Sequence, residues 1–340
     1  MRVLLGMSGG FDSSFAAHKL ISEGYEVEGA LLVMHAFTDI ESAKRAAERL
    51  GIPLHVIDCT EDFAREVEEY FVSEYKKGRT PNPCIVCNPR VKFLKLHEYA
   101  MAHGFDKIAT GHYAKIEESE GVLSLVPPRD TAKDQSYMLA RLPYYILRDL
   151  IFPLSDLVKS ELRLAVKEER LPIEDKADSQ EICFIPEGKY SEYLGQKLGA
   201  PAEGDFIDCD GRVLGRHKGI TSYTVGQRKG LGISLGRRMF VGAINPENNT
   251  VTLLEEGVRA EKIRLSDVTS VTAEPIGIGR ELEALVKIRY AAPKVKARVK
   301  FGEDATAEIT FDTPVSSPAP GQTAVIYSLS GAVLASGFID

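Results

Sequence analysis

Short apolar strands alternate with amphipathic helical stretches through the first 58 residues, and no other feature of the sequence restricts the fold as strongly. The apolar or β-branched runs fall at 2–7, 25–33 and 54–58, and the helical stretches fall at 11–23 and 39–50. Such βαβαβ units form parallel sheets with right-handed crossovers. We therefore predict an α/β N-terminal domain with a doubly wound parallel sheet, whose ligands bind at the carboxyl ends of the strands.

The character of the sequence changes after about residue 204. Segments become short and alternating, and turn signals divide them, among them Asp210-Gly211, Asn248-Asn249 and Pro320-Gly321. This pattern predicts two small, mainly-β domains. The predicted domains are 1–200, which includes a helical part at about 133–190, then 201–261 and 262–340.

A glycine-rich loop joins the first predicted strand to the first helix, with the sequence Ser8-Gly9-Gly10-Phe11-Asp12-Ser13. Glycines let a ligand approach the backbone, and amide groups at a helix start bind anions. The Gly-Lys-Ser/Thr ending of the ordinary P-loop is missing. The segment therefore predicts a phosphate-binding loop of another class, with a plain glycine-rich turn as the alternative. Asp12 is a candidate Mg²⁺ ligand, since hard cations prefer oxygen, and also a candidate N-cap.

Five cysteines occur at uneven spacing in this 340-residue chain. An odd number in a large chain indicates reduced thiols rather than a disulfide framework, and we expect a cytoplasmic location. Cys84 and Cys87 form a lone Cys-x-x-Cys pair, which suits a zinc half-site, a redox pair or chance; without a second pair, a closed zinc site is not expected. Cys183 lies between Ile182 and Phe184, so a buried structural cysteine is its alternative.

Charge is distributed unevenly along the chain. The net charge of −7 argues against a generally basic nucleic-acid binder. However, the segments 213–238 and 284–302 contain basic residues and no acidic ones. We interpret them as RNA-contacting surfaces, with ordinary solvated strand faces as the alternative. No apolar run approaches the roughly 20 residues of a membrane span, so no membrane partner is expected.

Six motifs occur in one order: Ser8 to Ser13, Pro81 to Asn88, Gly111 to Ala114, Lys133 to Tyr137, Asp178 to Ile185 and Thr224 to Gly232. The first resembles the loop of ATP pyrophosphatases, and the whole series resembles the tRNA-specific 2-thiouridylases. The resemblance covers essentially the full chain, including 287–290 and 320–322. This sequence departs from the family in having Phe11 where Val is most common and in two shorter segments, 34–39 and 114–133.

The resemblance implies a reaction and a nucleotide site. ATP adenylates the C2 oxygen of a wobble uridine, and sulfur then displaces AMP. The implied catalytic residues are Cys87, Cys183 and Asp12, with Cys183 receiving sulfur as a persulfide and Cys87 releasing it. The implied ATP and Mg²⁺ site consists of Gly6, Met7, Ser8, Gly9, Gly10, Phe11, Asp12, Ser13, Met34 and Gly111.

The resemblance also implies partners. These are the anticodon stem-loop of tRNA and a sulfur donor protein or hydrosulfide. The implied tRNA contacts are Asn82, Pro83, Cys84, His112, Lys133, Asp134, Gln135, Arg289, Tyr290 and Gln322. In an alternative sulfur chemistry, Cys84, Cys87 and Cys183 hold a 4Fe-4S cluster. Alternative functions are another synthetase of the ATP pyrophosphatase type and a noncatalytic tRNA-binding iron-sulfur protein.

Overall fold

The computed structural model describes residues 1–174, 182–186 and 189–340. The predicted motif residues Asp178, Ser179, Gln180 and Glu181 lie outside the described residues. Among those described, we find no helix with the length and apolar character that a membrane crossing requires.

A parallel five-stranded sheet forms the centre of the N-terminal part. The first seven strands are β1 (Arg2–Gly6), β2 (Glu26–Val33), β3 (Leu54–Asp58), β4 (Lys107–Thr110), β5 (Lys115–Ser119), β6 (Val122–Val126) and β7 (Leu150–Ile151). The sheet order is β3-β2-β1-β4-β7, and β5 and β6 form a separate hairpin. The predicted α/β fold is therefore confirmed. Because the order reverses between β1 and β4, a crevice opens at the carboxyl ends of these two strands.

The described residues contain nine α-helices. They are α1 (Phe11–Ser22), α2 (Ile40–Leu50), α3 (Thr60–Phe63), α4 (Glu69–Lys76), α5 (Pro83–Cys87), α6 (Phe93–Ala102), α7 (Tyr144–Arg148), α8 (Lys159–Glu168) and α9 (Tyr190–Leu198). The part predicted to be helical, at about 133–190, is not continuously helical. Among its described residues it contains a 3-10 turn at Ser136–Leu139, followed by α7 and α8.

Helix α2 shows how local chemistry sets an element boundary. The side chain of Asp39 accepts a hydrogen bond from the amide of Ser42 at 3.0 Å, which satisfies a donor that the helix leaves unpaired. At the other end Gly51 adopts φ 67°, a left-handed conformation that costs glycine little. Both boundaries agree with the prediction.

A π-helical turn at Asn88–Lys92 joins α5 to α6. It includes Pro89, which has no amide hydrogen to donate to the carbonyl of Ile85 four residues earlier. The wider turn accommodates the proline without ending the helical path. As a result Lys92 is displaced from the position that it would have in an ordinary α-helix. Its position affects the pKa of the cysteines that precede it.

The remaining strands form two β units. They are β8 (Gly204–Ile207), β9 (Val213–His217), β10 (Phe240–Asn245), β11 (Thr250–Leu254), β12 (Arg259–Ser270), β13 (Glu281–Lys287), β14 (Val295–Phe301), β15 (Ala307–Ser316), β16 (Thr323–Tyr327) and β17 (Val333–Ile339). Strands β8 to β11 make a four-stranded sheet, and β12 to β17 close into a barrel. The predicted mainly-β character of this half is confirmed.

The barrel packs directly against the N-terminal part. The hydroxyl of Tyr137 donates to the carbonyl of Thr323 at 2.8 Å, in a buried environment. A second contact holds the chain just before α5. The amide of Thr80 donates to the Pro320 carbonyl at 2.8 Å, and Gln322 Nε2 donates to the Thr80 carbonyl at 2.7 Å. The segment that carries Cys84 is therefore anchored by the barrel.

Candidate functional site

A cavity of about 750 Å³ lies at the carboxyl ends of β1 and β4, where the strand order reverses. Its size suits a nucleotide or a similar ligand. Twelve of the predicted site residues line it: Gly6, Met7, Ser8, Asp12, Ser13, Met34, Cys84, Gly111, His112, Lys133, Gln135 and Tyr290. Residues as far apart in the sequence as Gly6 and Tyr290 thus line one cavity.

Other predicted site residues lie outside the lining of this cavity: Gly9, Gly10, Phe11, Asn82, Pro83, Cys87, Cys183, Asp134, Arg289 and Gln322. The Phe11 side chain is buried in the core beneath α1, so only its backbone is available to a nucleotide. Pro83 is likewise buried, as the first residue of α5. Gln322 uses its amide nitrogen to hold the Thr80 carbonyl.

The phosphate-binding loop is organised by its own serines. The Ser8 hydroxyl lies 3.4 Å from that of Ser13, which also accepts from the Ser8 amide at 3.3 Å. The hydroxyls of Ser13 and Ser14 donate to the carbonyl of Gly10 at 3.1 and 2.9 Å. Gly9, at φ 75°, packs so closely on α2 that a Cβ there would lie 2.4 Å from the Ser42 carbonyl carbon. The loop is therefore held rigidly before any ligand enters.

Asp12 is held by two partners from distant parts of the chain. Its Oδ1 accepts from the hydroxyl of Tyr113 at 2.9 Å, and its Oδ2 accepts from Lys159 Nζ at 2.7 Å. The Lys159 side chain is only 6% exposed, whereas that of Asp12 is 31% exposed. A cation is thus fixed at the bottom of the cavity beside the phosphate-binding loop.

Lys159 was not identified from the sequence, although a signal was present. It is the first residue of α8, where the positive end of the helix dipole disfavours a cation. A lysine placed there is stabilised by something outside its own helix, and in this fold that partner is Asp12. Tyr113 lies in a motif that the sequence did identify, but its contact with Asp12 spans 101 residues.

The three cysteines predicted to carry the sulfur chemistry lie within electrostatic reach of one another. Burial raises the pKa of the Cys87 thiol to about 12, and the neighbouring Cys183 and Cys84 raise it as well. Burial also raises the pKa of Cys183, followed by the effect of Cys84. Cys87 Sγ lies 3.9 Å from Sδ of Met34, and Met34 lines the cavity. All five cysteines are free thiols.

Lys92 opposes these effects on the thiols. Its charge lowers the pKa of Cys84, Cys87 and Cys183, although less than burial raises each of them. Its backbone amide also lowers the pKa of Cys87, which favours the thiolate. Lys92 lines the cavity. It is a second cation that the sequence alone did not single out.

The described residues do not assemble the donor set for an iron-sulfur cluster. Within residues 1–174, 182–186 and 189–340, no group of three His, Cys, Asp or Glu side chains is arranged to hold a metal ion. Cys84, Cys87 and Cys183 supply the right chemistry, since soft thiolates favour iron-sulfur clusters, but not a ready geometry. The cluster stays a prediction.

His112 occupies the wall of the cavity as a neutral side chain. Burial lowers its pKa to about 3, and the charge of Lys92 lowers it further. Its Nδ1 lies 2.9 Å from the Thr110 hydroxyl, and its ring packs against Phe93 and Phe152. A neutral imidazole can contact a base through hydrogen bonds but cannot provide charge at physiological pH.

A second cavity, of about 490 Å³, is lined by the segment that connects β9 to β10 in the first β unit. Three of its lining residues are Arg228, Arg237 and Arg238. Arg237 is paired with Glu255, and Arg216, from the same acid-free segment, is paired with Asp205. Part of this segment is therefore an ordinary ion-paired surface, and the part around the cavity keeps an excess of positive charge.

Three family models match successive parts of the chain. The tRNA methyl transferase HUP domain matches residues 1–187, the tRNA methyl transferase PRC-barrel domain matches 191–255, and the Aminomethyltransferase beta-barrel domain matches 260–339. Together with the cavity at the reversal of strand order, these matches define an ATP-binding HUP-domain enzyme.

Curated relatives extend over the full length. The tRNA-specific 2-thiouridylase MnmA of Clostridium perfringens is 39% identical over 357 residues, which covers 100% of this chain and 98% of that protein. The protein of that name from Caldicellulosiruptor saccharolyticus has the same identity and coverage. That from Treponema denticola is 40% identical over 349 residues, covering 96% of this chain and 95% of its own. The chain belongs to the MnmA family of tRNA-specific 2-thiouridylases, which are sulfurtransferases.

Proposed function

We propose that this chain uses ATP to activate C2 of the wobble uridine of tRNA and then replaces its oxygen by sulfur. The observation that carries the proposal is one cavity lined by two chemically distinct groups of residues. The loop at Ser8 and the Asp12–Lys159 pair form one group, and Cys84 belongs to the other. The first group suits a polyphosphate, and the second suits a base brought beside thiols.

The activation step requires charge neutralisation more than it requires a base. The C2 oxygen of uracil attacks the α-phosphorus of ATP, and pyrophosphate leaves with the electron pair of the broken bond. Lys159 and the amides at the start of α1 stabilise the charge that develops on the phosphates. Asp12 holds Lys159 in place, and each of its oxygens retains a lone pair for Mg²⁺. Bound there, Mg²⁺ would neutralise the pyrophosphate.

Sulfur transfer then proceeds through the thiols. The terminal sulfur of a persulfide on Cys183 attacks C2, and AMP leaves with the former uracil oxygen. The Cys87 thiolate attacks Cys183 Sγ, which leaves the transferred sulfur on C2 and joins the two cysteines as a disulfide. An external thiol must reduce that disulfide before the next turnover. Lys92 favours the thiolate that this step needs.

Binding of tRNA involves all three parts of the chain in this proposal. They are divided at 1–200, 201–261 and 262–340. The arginines around the second cavity supply backbone contacts, and His112, Lys133, Gln135 and Tyr290 face the extruded base. Flipping a base costs a few kcal/mol, which backbone contacts must offset. The sulfur reaches Cys183 from a donor protein or from hydrosulfide.

The test measures AMP formation and 2-thiouridine in the same reaction with purified tRNA. Asp12→Ala should abolish tRNA-dependent AMP formation while tRNA binding persists, because Lys159 loses the partner that positions it. Asp156→Ala is the matched control, since that side chain is 67% exposed. Substantial AMP formation by Asp12→Ala would reject the assignment. AMP release that is independent of tRNA would instead indicate another synthetase of the ATP pyrophosphatase type.

A further inference from the structure

Two lysines of the barrel, Lys287 and Lys294, are half-buried at its junction with the N-terminal part. Lys287 ends β13, and Lys294 immediately precedes β14. The ammonium of Lys294 lies 3.8 Å from the ring centre of Tyr327. That of Lys287 lies 5.2 Å from the ring of Tyr290 and 5.8 Å from that of Tyr137. Aromatic faces therefore hold both flexible side chains in defined positions.

These two lysines differ from the other basic residues of the acid-free segment 284–302. Lys296 pairs with Glu283 at 3.1 Å, and Arg298 pairs with Glu281 at 3.4 Å, all on the exposed outer face of the barrel. For these residues the ordinary solvated-strand interpretation is the better one. In the described part of the chain, neither Lys287 nor Lys294 has a carboxylate within ion-pairing distance.

The electrostatics of the lysine pair are unfavourable without an anion. Burial lowers the pKa of both, and the charge of Lys287 lowers the pKa of Lys294 further. Asp134 is the carboxylate that opposes this effect on each. Its Oδ1 also accepts from the Ser136 amide at 2.8 Å. Two partly desolvated cations with one nearby carboxylate leave an excess positive charge, which is costly unless a ligand balances it.

The pair adjoins the reaction cavity. Tyr290, whose ring contacts Lys287, lines that cavity together with Lys133 and Gln135. A nucleotide whose base enters the cavity carries a phosphate on each side of its ribose. Those phosphates must remain outside, near the rim.

We propose that Lys287 and Lys294 form a subsite for a backbone phosphodiester of tRNA next to the target nucleotide. This inference rests on the proposed function. The same chemistry would also suit the phosphates of ATP. We favour the tRNA backbone because the phosphate-binding loop and Lys159 already serve the nucleotide, and because neither Lys287 nor Lys294 lines the cavity.

The test uses the full chain and the double variant Lys287→Met/Lys294→Met. Methionine keeps the apolar stem against the tyrosines and removes only the charge. Binding of tRNA is measured by fluorescence anisotropy over a range of salt concentrations, and ATP binding is measured separately. Loss of the contacts to this one phosphate should reduce the slope of log affinity against log salt by about 0.7 and weaken binding about tenfold at low salt. Lys296→Met, on the same barrel, should change affinity less than about twofold.

Four further results decide the proposal. Lys287→Arg/Lys294→Arg should retain most of the affinity, because it restores the charge. Unchanged affinity and slope in the methionine double variant would overturn the subsite alone, and so would weaker ATP binding with normal tRNA binding. A wild-type chain that bound no tRNA would overturn the proposed function and the subsite together. If the double variant unfolds, Lys287→Met gives the same test with about half the change in slope.

Discussion

Gly111→Ala tests whether the two halves of the nucleotide site are packed as rigidly as the structure shows. A Cβ at Gly111 would lie 2.8 Å from the carbonyl carbon of Asp12 and 2.8 Å from the amide nitrogen of Ser13. Both atoms belong to the backbone at the start of α1, so no side chain can turn away. To reach a tight contact of 3.4 Å, the loop must retreat by about 0.6 Å. The displacement acts on the residues that cradle the phosphates.

The expected cost follows from that displacement. Overpacking of this kind destabilises a protein by about 1–3 kcal/mol. A misplacement of about 1 Å at a reacting centre costs about a hundredfold in rate, so 0.6 Å should cost on the order of tenfold. We expect tRNA-dependent AMP formation at saturating tRNA to fall by that factor. Urea denaturation of the same preparation should show the loss of stability.

The control is Gly195→Ala, the same substitution within α9, where the nearest atom is Pro201 Cδ at 4.0 Å. It should raise stability by up to about 1 kcal/mol, because alanine is the better helix former, and leave the rate unchanged. Wild-type AMP formation and unchanged unfolding by Gly111→Ala would refute the reasoning. That result would mean that the loop after β4 moves freely relative to the phosphate-binding loop.

Three other perturbations probe the charges and thiols of the site. A double-mutant cycle of Asp12→Asn and Lys159→Met, followed by urea denaturation, should give a coupling energy of about 1–2 kcal/mol; a value near zero would mean that the contact is not a stable ion pair. The rate at which iodoacetamide alkylates Cys87 should keep rising above pH 9, because the pKa of this thiol is raised to about 12 and its thiolate fraction still increases there. The variant Lys92→Met should slow the alkylation. A rate that reaches a plateau below pH 9 would contradict the argument that burial raises this pKa. Cys84→Ala, prepared anaerobically, should retain thiolation with a persulfide donor, whereas loss of both iron and activity would reject the two-cysteine scheme.

Features set by neighbouring residues could be predicted from the sequence. The cap at Asp39, the left-handed stop at Gly51 and the loop at Ser8 depend on interactions within a few residues. The parallel sheet followed from the alternation of strands and helices, which is a property of the whole N-terminal segment. The strands and helices predicted in the first 58 residues appear in the structure with boundaries shifted by at most one residue.

Features set by packing between distant segments could not be predicted in the same way. Lys159 meets Asp12 across 147 residues, and Gln322 meets Thr80 across 242. No periodicity or motif encodes such a distance. The basic segment 284–302 illustrates the limit, because composition marked it as one surface. In the structure the alternation of side chains along the strands leaves Lys296 exposed. The packing of the barrel against the N-terminal part half-buries Lys287 and Lys294.

The hydrogen bonds between the barrel and the segment before α5 also have a consequence for the order in which the chain folds during its synthesis. The two partners of Thr80 are Pro320 and Gln322, and the ribosome reaches Gln322 only 242 residues after Thr80. The barrel itself cannot close until β17 has emerged to pair with β12 and β16. The contacts that anchor the segment before Cys84 therefore form only after the strands of the barrel have been synthesised. A nascent chain can complete its parallel sheet, whose last strand β7 ends at Ile151, before that segment is anchored.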